Sequence, residues 1–170
     1  MAPEPSQCRQ VDHALRRSQS RLADLIEITS DLAWEVDAEG VYTYVSPRSR
    51  DLLGYEPEEI IGKTPLDLLP REDVPRFEAL FRAALARREP IRFLENRNVR
   101  KDGSIIYLET SAVPYFDPDG RFGGYRGLDR DITVRKQAEE ERERLLSTIG
   151  ARAAELEAIF FALPDLYFRL

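Results

Sequence analysis

The hydrophobic period of this chain changes twice between residues 32 and 132, and the order of the periods limits the folds that it can form. Apolar and polar residues first alternate over 32–36, as in a half-buried strand, and 41–45 is a second run rich in strand-forming residues. The spacing then becomes helical over 48–88, where proline and glycine break it into short pieces. Strand-like runs return at 91–100, 105–116 and 122–132. Two strands, a set of helices and three strands predict an α+β fold, with helices on one face of an antiparallel sheet.

The longest helix in the middle of the chain is predicted to run from about Glu72 to Arg88. Acidic residues stand at its start and arginines at its end, which is the distribution that the helix dipole favours. Its apolar residues share one face, namely Phe77, Leu80, Phe81, Ala84 and Leu85. That pattern is typical of an amphipathic helix.

Two more helices are predicted outside this region. Near the start, apolar residues recur at heptad spacing, namely Val11, Leu15, Leu22 and Leu25. This spacing predicts a helix over about 9–29, which either lies on its own domain or pairs with its twin in a dimer. From 134 to 163 the composition shifts to charged residues and alanine, which predicts a connecting helix of about 45 Å. Two arginines in its seam make it a weak coiled coil.

The end of the chain resembles its beginning. Asp165-Leu166 matches Asp31-Leu32 at an offset of 165 − 31 = 134 residues, and Leu156 matches Leu22 at the same offset. A helix leading into an alternating strand therefore begins again. Residues 156–170 are predicted to start a second copy of the domain and to stop inside its first strand.

Composition excludes several functional classes. The net charge is −6, whereas a nucleic-acid surface normally needs a basic face. No apolar run approaches the roughly 18 residues that cross a membrane. The single cysteine, Cys8, and the single histidine, His13, both precede the strands, so the central region holds no histidine triad and no His/Cys metal site. These observations predict a cytoplasmic, non-catalytic domain without nucleic-acid or membrane partners.

Five stretches of the central region carry a family pattern. They are 37–47, which starts with an Asp-Ala-Glu-Gly turn, then 53–62, 100–104, 114–120, and finally 125–133, which ends in Asp-Ile-Thr. In this order they resemble a PAS domain with the additional C-terminal PAC motif found in bacterial sensor proteins. The resemblance divides the chain into a leader with an amphipathic helix (1–21), a PAS/PAC domain (22–133), a signalling linker helix (134–155) and the start of a second PAS domain (156–170).

The resemblance implies a five-stranded antiparallel sheet in the order 2-1-5-4-3, with helices cupped over one face. It also implies a role in sensing, dimerisation or relay to an effector, commonly a histidine kinase or a diguanylate cyclase. Three hypotheses stay open. The chain is a ligand-sensing input domain, or a ligand-free dimerisation and relay module, or the first part of a sensor enzyme whose catalytic domain lies beyond Leu170.

Ligands of the family lie between the helices and the sheet. Haem-binding members use a histidine on the long helix and photoactive flavin members use a cysteine, and residues 32–133 contain neither type. A noncovalently bound flavin or another small molecule stays open. Aromatic residues on the predicted strands either line such a pocket or form ordinary core, namely Trp34, Tyr42, Tyr44, Phe93 and Tyr107.

Two arginines on the predicted strands have alternative roles. If Arg97 or Arg126 faces inward, it can bind a carboxylate through two parallel hydrogen bonds. If these side chains face outward, they form solvated cross-strand charge pairs together with acids such as Glu109. The outward orientation is the favoured interpretation.

The junction between the last strand and the exit helix is formed by Asp131, Ile132 and Thr133. Thr133 is placed to cap the helix by accepting hydrogen bonds from free backbone N–H groups. The resemblance implies that Asp131 pairs with a nearby basic residue, and the candidates are Lys101, Arg135 and Lys136. We expect this contact to couple distortion of the sheet to rotation or register of the helix.

Overall fold

The computed structural model describes residues 30–167 and four single helical positions before them, Arg17, Arg21, Asp24 and Ile28, with side chains described up to residue 160. The chain divides into two compact units, one ending at Ile132 and the other starting at Thr133. The helix predicted over about 9–29 falls, apart from those four positions, outside the described residues. The homodimer seam predicted on that helix therefore stays a prediction.

Between residues 30 and 132, the first unit contains five strands and four short or medium helices. The strands are β1 (Leu32–Asp37), β2 (Tyr42–Val45), β3 (Ile91–Val99), β4 (Ile105–Phe116) and β5 (Phe122–Asp131). Between β2 and β3 lie α1 (Ser49–Leu53), α2 (Pro57–Ile60), a 3-10 helix (Pro65–Leu68) and α3 (Val74–Arg87). The predicted sequence of strands and helices is confirmed, because the alternation and the proline and glycine punctuation are local signals.

All five strands form one sheet in the order β2-β1-β5-β4-β3, and every neighbouring pair is antiparallel. The predicted order 2-1-5-4-3 is confirmed. The first and last strands therefore lie side by side in the sheet, and β3 and β2 form its edges. Both ends of the five-stranded unit lie at the centre of the sheet for this reason.

Residues directly opposite each other in neighbouring strands project to the same face of a sheet. Trp34 of β1 lies opposite Gly127 of β5, which in turn lies opposite Ala112 of β4. We call this side the inner face. It forms one core with the helices, which includes Val36, Ile106, Leu108, Tyr125, Leu53 and Ile60, all nearly inaccessible to solvent. The opposite side, which carries Glu35 and Arg126, is called the outer face.

The ends of the short helices are set by capping residues, prolines and glycines close to them in the sequence. In α2, Pro57 occupies the first turn, and the side chain of Glu59 accepts a hydrogen bond from the backbone N–H of Glu56, in a reciprocal capping box. Helix α1 ends at Gly54, whose φ of 75° is easily reached only without a side chain. Such caps allow helices of four or five residues to form over the inner face.

The second unit is one long helix, α4 (Thr133–Tyr167). The predicted connecting helix is thus confirmed as a helix, although it is longer than expected. The strand predicted near Leu166 is not present up to Tyr167, because the helix continues through that position. That residues 156–170 begin a second domain stays a prediction. Among the described residues, no helix combines the length and hydropathy that a membrane span requires.

Candidate functional site

The space between the inner face and the helices, which we call the cup, is almost filled by side chains. Aromatic rings from β1, β2 and α3 line it, together with polar side chains from β3, β4 and β5. The cavity that remains has a volume of about 20 Å³. This is enough for about one water-sized molecule. The cup is therefore a small site with mixed walls.

A chain of hydrogen bonds crosses three strands at the floor of the cup. Asn98 Nδ2 donates to Asn96 Oδ1 at 2.5 Å, and Asn96 Nδ2 donates to Thr110 Oγ1 at 2.8 Å. The Thr110 hydroxyl then donates to Asp129 Oδ1 at 2.7 Å. We call these four residues the polar chain. Because β3, β4 and β5 each contribute to it, the polar chain links three neighbouring strands of the sheet.

Asp129 is the charged end of the polar chain and is only 6% exposed. Burial raises the pKa of its carboxyl to about 6, and the nearby Asp31 carboxylate adds to that rise. The Thr110 hydroxyl and the Trp34 indole act in the opposite direction. The Trp34 indole nitrogen nevertheless makes no hydrogen bond within the described residues, so its effect on Asp129 is that of a nearby dipole.

No cation lies within ion-pair distance of Asp129 in the described part of the chain. Its neighbour Arg130 contacts Asp31 instead, with Nη2 and Oδ2 3.2 Å apart. Sequence reasoning missed Asp129 as a site residue. The signal that could have found it is the alternation in β5, which places Asp129 on the same face as the fully buried Tyr125.

Four aromatic rings stand around the same cavity. Trp34 and Tyr42 contact edge to face with their centroids 6.1 Å apart, and Phe77 and Phe81 of α3 are stacked at 6.3 Å. Burial raises the pKa of the Tyr42 hydroxyl above its ordinary value, and the charge of Asp129 adds to the rise. Of the aromatic residues predicted to line a pocket, Trp34 and Tyr42 are the two that the structure places in the cup.

Tyr44, Phe93 and Arg126 lie on the other side of the sheet, which corrects their expected place in the cup. They line an open cavity of about 640 Å³ on the outer face, which we call the outer groove. Arg126 Nε lies 2.6 Å from Glu35 Oε2, its direct cross-strand partner, and its guanidinium stacks over the ring of Tyr115. Arg126 thus takes the outward orientation and not that of a carboxylate clamp in the cup.

Arg97 and Tyr107 are opposite each other in β3 and β4, and neither lines the cup cavity. The Arg97 guanidinium donates two hydrogen bonds to Asp73, at 2.7 and 2.9 Å, and a third to Glu72 at 3.1 Å. These bonds lower the pKa of the Asp73 carboxyl. Arg97 therefore holds the start of α3 against the edge strand, and this corrects its alternative role as a ligand clamp.

At the junction, Asp131 contacts a basic residue that was not among the predicted candidates, and Arg135 and Lys136 stay candidates. Asp131 Oδ2 lies 3.8 Å from Arg100 Nη2, whereas Lys101 Nζ contacts both carboxylate oxygens of Glu59, at 2.7 and 2.8 Å. Lys101 therefore binds α2 and is not the partner expected for Asp131. The buried Ile132 donates its backbone N–H to the Tyr107 carbonyl at 2.9 Å. The roles predicted for Thr133 and Arg135 stay predictions, and α4 starts at Thr133 itself.

Within the described residues, no group of three or more His, Cys, Asp or Glu side chains is arranged to hold a metal ion. The chemistry available in the cup is therefore that of hydrogen bonding, one carboxylate and aromatic surfaces.

Comparison with known proteins gives a family match over most of this unit. Residues 27–137 match the family model described as the PAS fold. A PAS domain from Colwellia psychrerythraea has 25% sequence identity and a TM-score of 0.60, covering 68% of this chain and 98% of that one. An RNA-binding Light-Oxygen-Voltage receptor has 24% identity and a TM-score of 0.64, covering 76% of this chain and 37% of that one.

Curated relatives are much longer proteins. An uncharacterised protein, y4lL, of Sinorhizobium fredii is 31% identical over 79% of this chain and 16% of its own length. The bacterioopsin transcriptional activator of Halobacterium salinarum is 27% identical over 74% of this chain and 18% of its own. Sporulation kinase C of Bacillus subtilis is 24% identical over 75% and 28%. The chain thus spans less than a third of the length of each of these three relatives.

Proposed function

Since the chain belongs to the PAS family and carries a PAS sensory domain, we propose that it is the non-catalytic input and relay module of a cytoplasmic signal-transduction protein. In this proposal the cup takes up a small ligand. The resulting change passes through β5 to α4, which acts as the exit helix of a homodimer. The effector is a separate domain beyond Leu170.

The observation that carries the proposal is the position of the polar chain. Its charged end, Asp129, is buried in the cup and lies on the strand that ends at Asp131, two residues before α4 begins. A ligand that binds the carboxylate changes the hydrogen bond from Thr110 and so the pairing of β4 with β5. No long path is required, because the ligand contact and the exit from the domain are on one strand.

The type of effector is proposed from the relatives. Sporulation kinase C and the N-terminal domain of a diguanylate cyclase from Marinobacter aquaeolei both contain a similar domain, the latter at 15% identity and a TM-score of 0.57, over 62% of this chain and 98% of that one. A histidine kinase or a diguanylate cyclase is therefore the output that we propose for the parent protein, and the PAC motif and a second PAS domain belong to the same proposal.

A second candidate function is a ligand-free dimerisation and relay module. The small volume of the cup, about 20 Å³, favours it, as does the outer groove of about 640 Å³, whose apolar residues include the exposed Tyr44, Phe93 and Val113. In this case the outer groove is covered by a second copy of the chain. The signal then arises at the dimer interface and not in the cup.

Native mass spectrometry of the purified chain separates the two candidates. A small molecule that stays with the wild-type chain and is lost from Asp129→Asn supports the sensing function. A dimer without a bound small molecule supports the ligand-free module. A monomer without any bound molecule contradicts both.

The relay step is tested at the junction in the full-length parent. Asp131→Ala removes the contact with Arg100, and we expect the output of the parent to become independent of its signal. Glu109→Ala is the matched control. It removes an acid of β4 that lies opposite Arg130 of β5, and it should leave the response intact. A normal response of Asp131→Ala would contradict the relay.

A further inference from the structure

The buried carboxylate of Asp129 has no charge of opposite sign beside it. It accepts one hydrogen bond, from Thr110, within the described residues, and the charge that acts on it is the like charge of the Asp31 carboxylate. An isolated buried charge is unfavourable unless it is paired. The site is thus electrostatically incomplete, and a cationic ligand would complete it.

The walls of the cup suit a cation with an organic surface. Trp34, Tyr42, Phe77 and Phe81 all line the cavity that Asp129 also lines. Aromatic faces attract ammonium groups through their quadrupoles, and most strongly where water is excluded. Leu69 and Leu94 complete an apolar wall that a strongly hydrated metal ion would not favour.

The size of the cavity restricts the ligand further. About 20 Å³ accommodates one group of the size of water or of an ammonium head. A ligand with several rings, such as a flavin, does not fit the cup without displacing α3.

From these three observations we propose that the cup binds a small primary ammonium ion, held by Asp129 inside a cage of four aromatic side chains. The inference rests on the proposed sensing function and names the ligand class of that site. The ammonium N–H groups donate to the carboxylate while the rings contact its positive charge. Binding replaces a buried, unpaired carboxylate with a buried ion pair on β5.

Protonation of Asp129 should oppose binding. The titratable groups that face it are Asp31 and Tyr42, and the parts of α3 and β3 that line the cavity contribute no titratable side chain. Burial raises the pKa of the Asp129 carboxyl to about 6 in the unliganded chain. The affinity for an ammonium ion is therefore expected to fall about tenfold between pH 7.5 and pH 5.

The chain contains one tryptophan, and it lies in this cage. The fluorescence of Trp34 therefore reports on the cup, and because Trp34 also borders the outer groove, the variants below are needed to assign a change to the cup. The experiment titrates the 170-residue chain with methylammonium chloride at constant ionic strength, with sodium chloride as the ionic control and methanol as a neutral control of the same size. We expect a saturable change with methylammonium and none with either control.

Two variants assign the effect to the site. Asp129→Asn keeps the shape of the side chain and removes its charge, and should weaken methylammonium binding at least tenfold. Glu35→Gln removes a carboxylate from the outer face and should bind like the wild type. Circular dichroism shows whether each variant is folded, and the pH profile of the wild type tests the carboxylate without any substitution.

The outcomes separate this inference from the proposed function. Absence of saturable methylammonium binding, equal binding by Asp129→Asn, or equal affinity at pH 5 and pH 7.5 overturns the ligand class. The relay through Asp131 is measured independently in the parent protein. If that relay fails while methylammonium still binds, the proposed function is wrong and the ligand site stands.

Discussion

On the inner face of the sheet, the carboxylate of Asp129 meets a threonine hydroxyl, whereas on the outer face that of Glu35 meets the guanidinium of Arg126 at 2.6 Å. Both acids lie on the neighbouring central strands β1 and β5. The inner acid is enclosed by helices and carries a raised pKa, while the outer pair is open to solvent. The acid with a cationic partner, Glu35, is thus the one that solvent reaches, and the acid without one, Asp129, is the one from which water is excluded.

The apolar residues show the opposite contrast. Those of the inner face are packed into one core, while those of the outer face border a groove and remain partly exposed. Stability is therefore expected to depend on the inner face, and association with a partner on the outer one. Burial of the Asp129 carboxylate on the inner face costs stability, and groups with such perturbed pKa values are common at functional sites.

The largest expected effect compares two leucines. Leu108 on the inner face of β4 is 1% exposed, and Leu128 on the outer face of β5 is 37% exposed. Leu108→Ala should lower the free energy of unfolding by about 3 kcal/mol, because it removes buried methyl groups and leaves a cavity. Leu128→Ala should lower it by less than about 1 kcal/mol. Urea unfolding of both variants measures the difference, and equal losses would contradict the assignment of faces.

The next effect concerns Asp129 and the pH. Asp129 has a higher pKa in the folded chain than in the unfolded chain. At a pH between these two pKa values, the folded chain therefore binds more protons than the unfolded chain. Its contribution to stability is therefore full below about pH 4 and is lost as the pH rises through about 6. Asp129→Asn, which cannot ionise, should be up to about 3 kcal/mol more stable than the wild type at pH 7.5, and nearly equal to it at pH 4.

Urea unfolding across this pH range checks the prediction, with Glu35→Gln as its control on the outer face. The control should lose a little stability at pH 7.5, since it breaks an exposed ion pair. A loss of stability by Asp129→Asn at pH 7.5 would show that burial of the ionised Asp129 carboxylate does not destabilise the folded chain.

The smallest effect is that of the outer ion pair itself. A double-mutant cycle with Glu35→Ala and Arg126→Ala should give a coupling energy of about 0.5 kcal/mol, because the pair is largely solvated. In 1 M NaCl the coupling should decrease further. A coupling energy above about 2 kcal/mol that does not change with the salt concentration would mean that the outer groove is covered in solution. That result would support binding of a second copy of the chain there.

How far the sequence predicts the site depends on the strand. For β1 the alternation correctly places Trp34 on the inner face. For Tyr42 and Tyr44, two residues apart, the same rule expects a common face. The structure pairs Tyr42 with Val36 but Tyr44 with Glu35, because the register of β1 and β2 shifts between Glu35 and Val36. Such a bulge turns one of the two side chains to the other face.

Phe93 illustrates the same limit on β3. The register with β4 shifts between Ile91 and Leu94, and Phe93 has a φ of 51°, which extended strands do not adopt. Its side chain therefore leaves the alternation and borders the outer groove. A bulge depends on how two strands pair with each other, so the residue pattern within one strand does not predict it.

The order of the strands and helices, the turns and the family followed from the sequence alone, because periodicity, prolines and glycines act over a few neighbouring residues. Only the tertiary structure decided the register shifts, the contact of Asp131 with Arg100 and the environment of Asp129. Burial raises the pKa of that carboxyl, and Thr110 and Trp34, which are remote from it in the chain, lower it. Burial and electrostatics are set by whatever the fold brings together, and distance along the chain does not encode them.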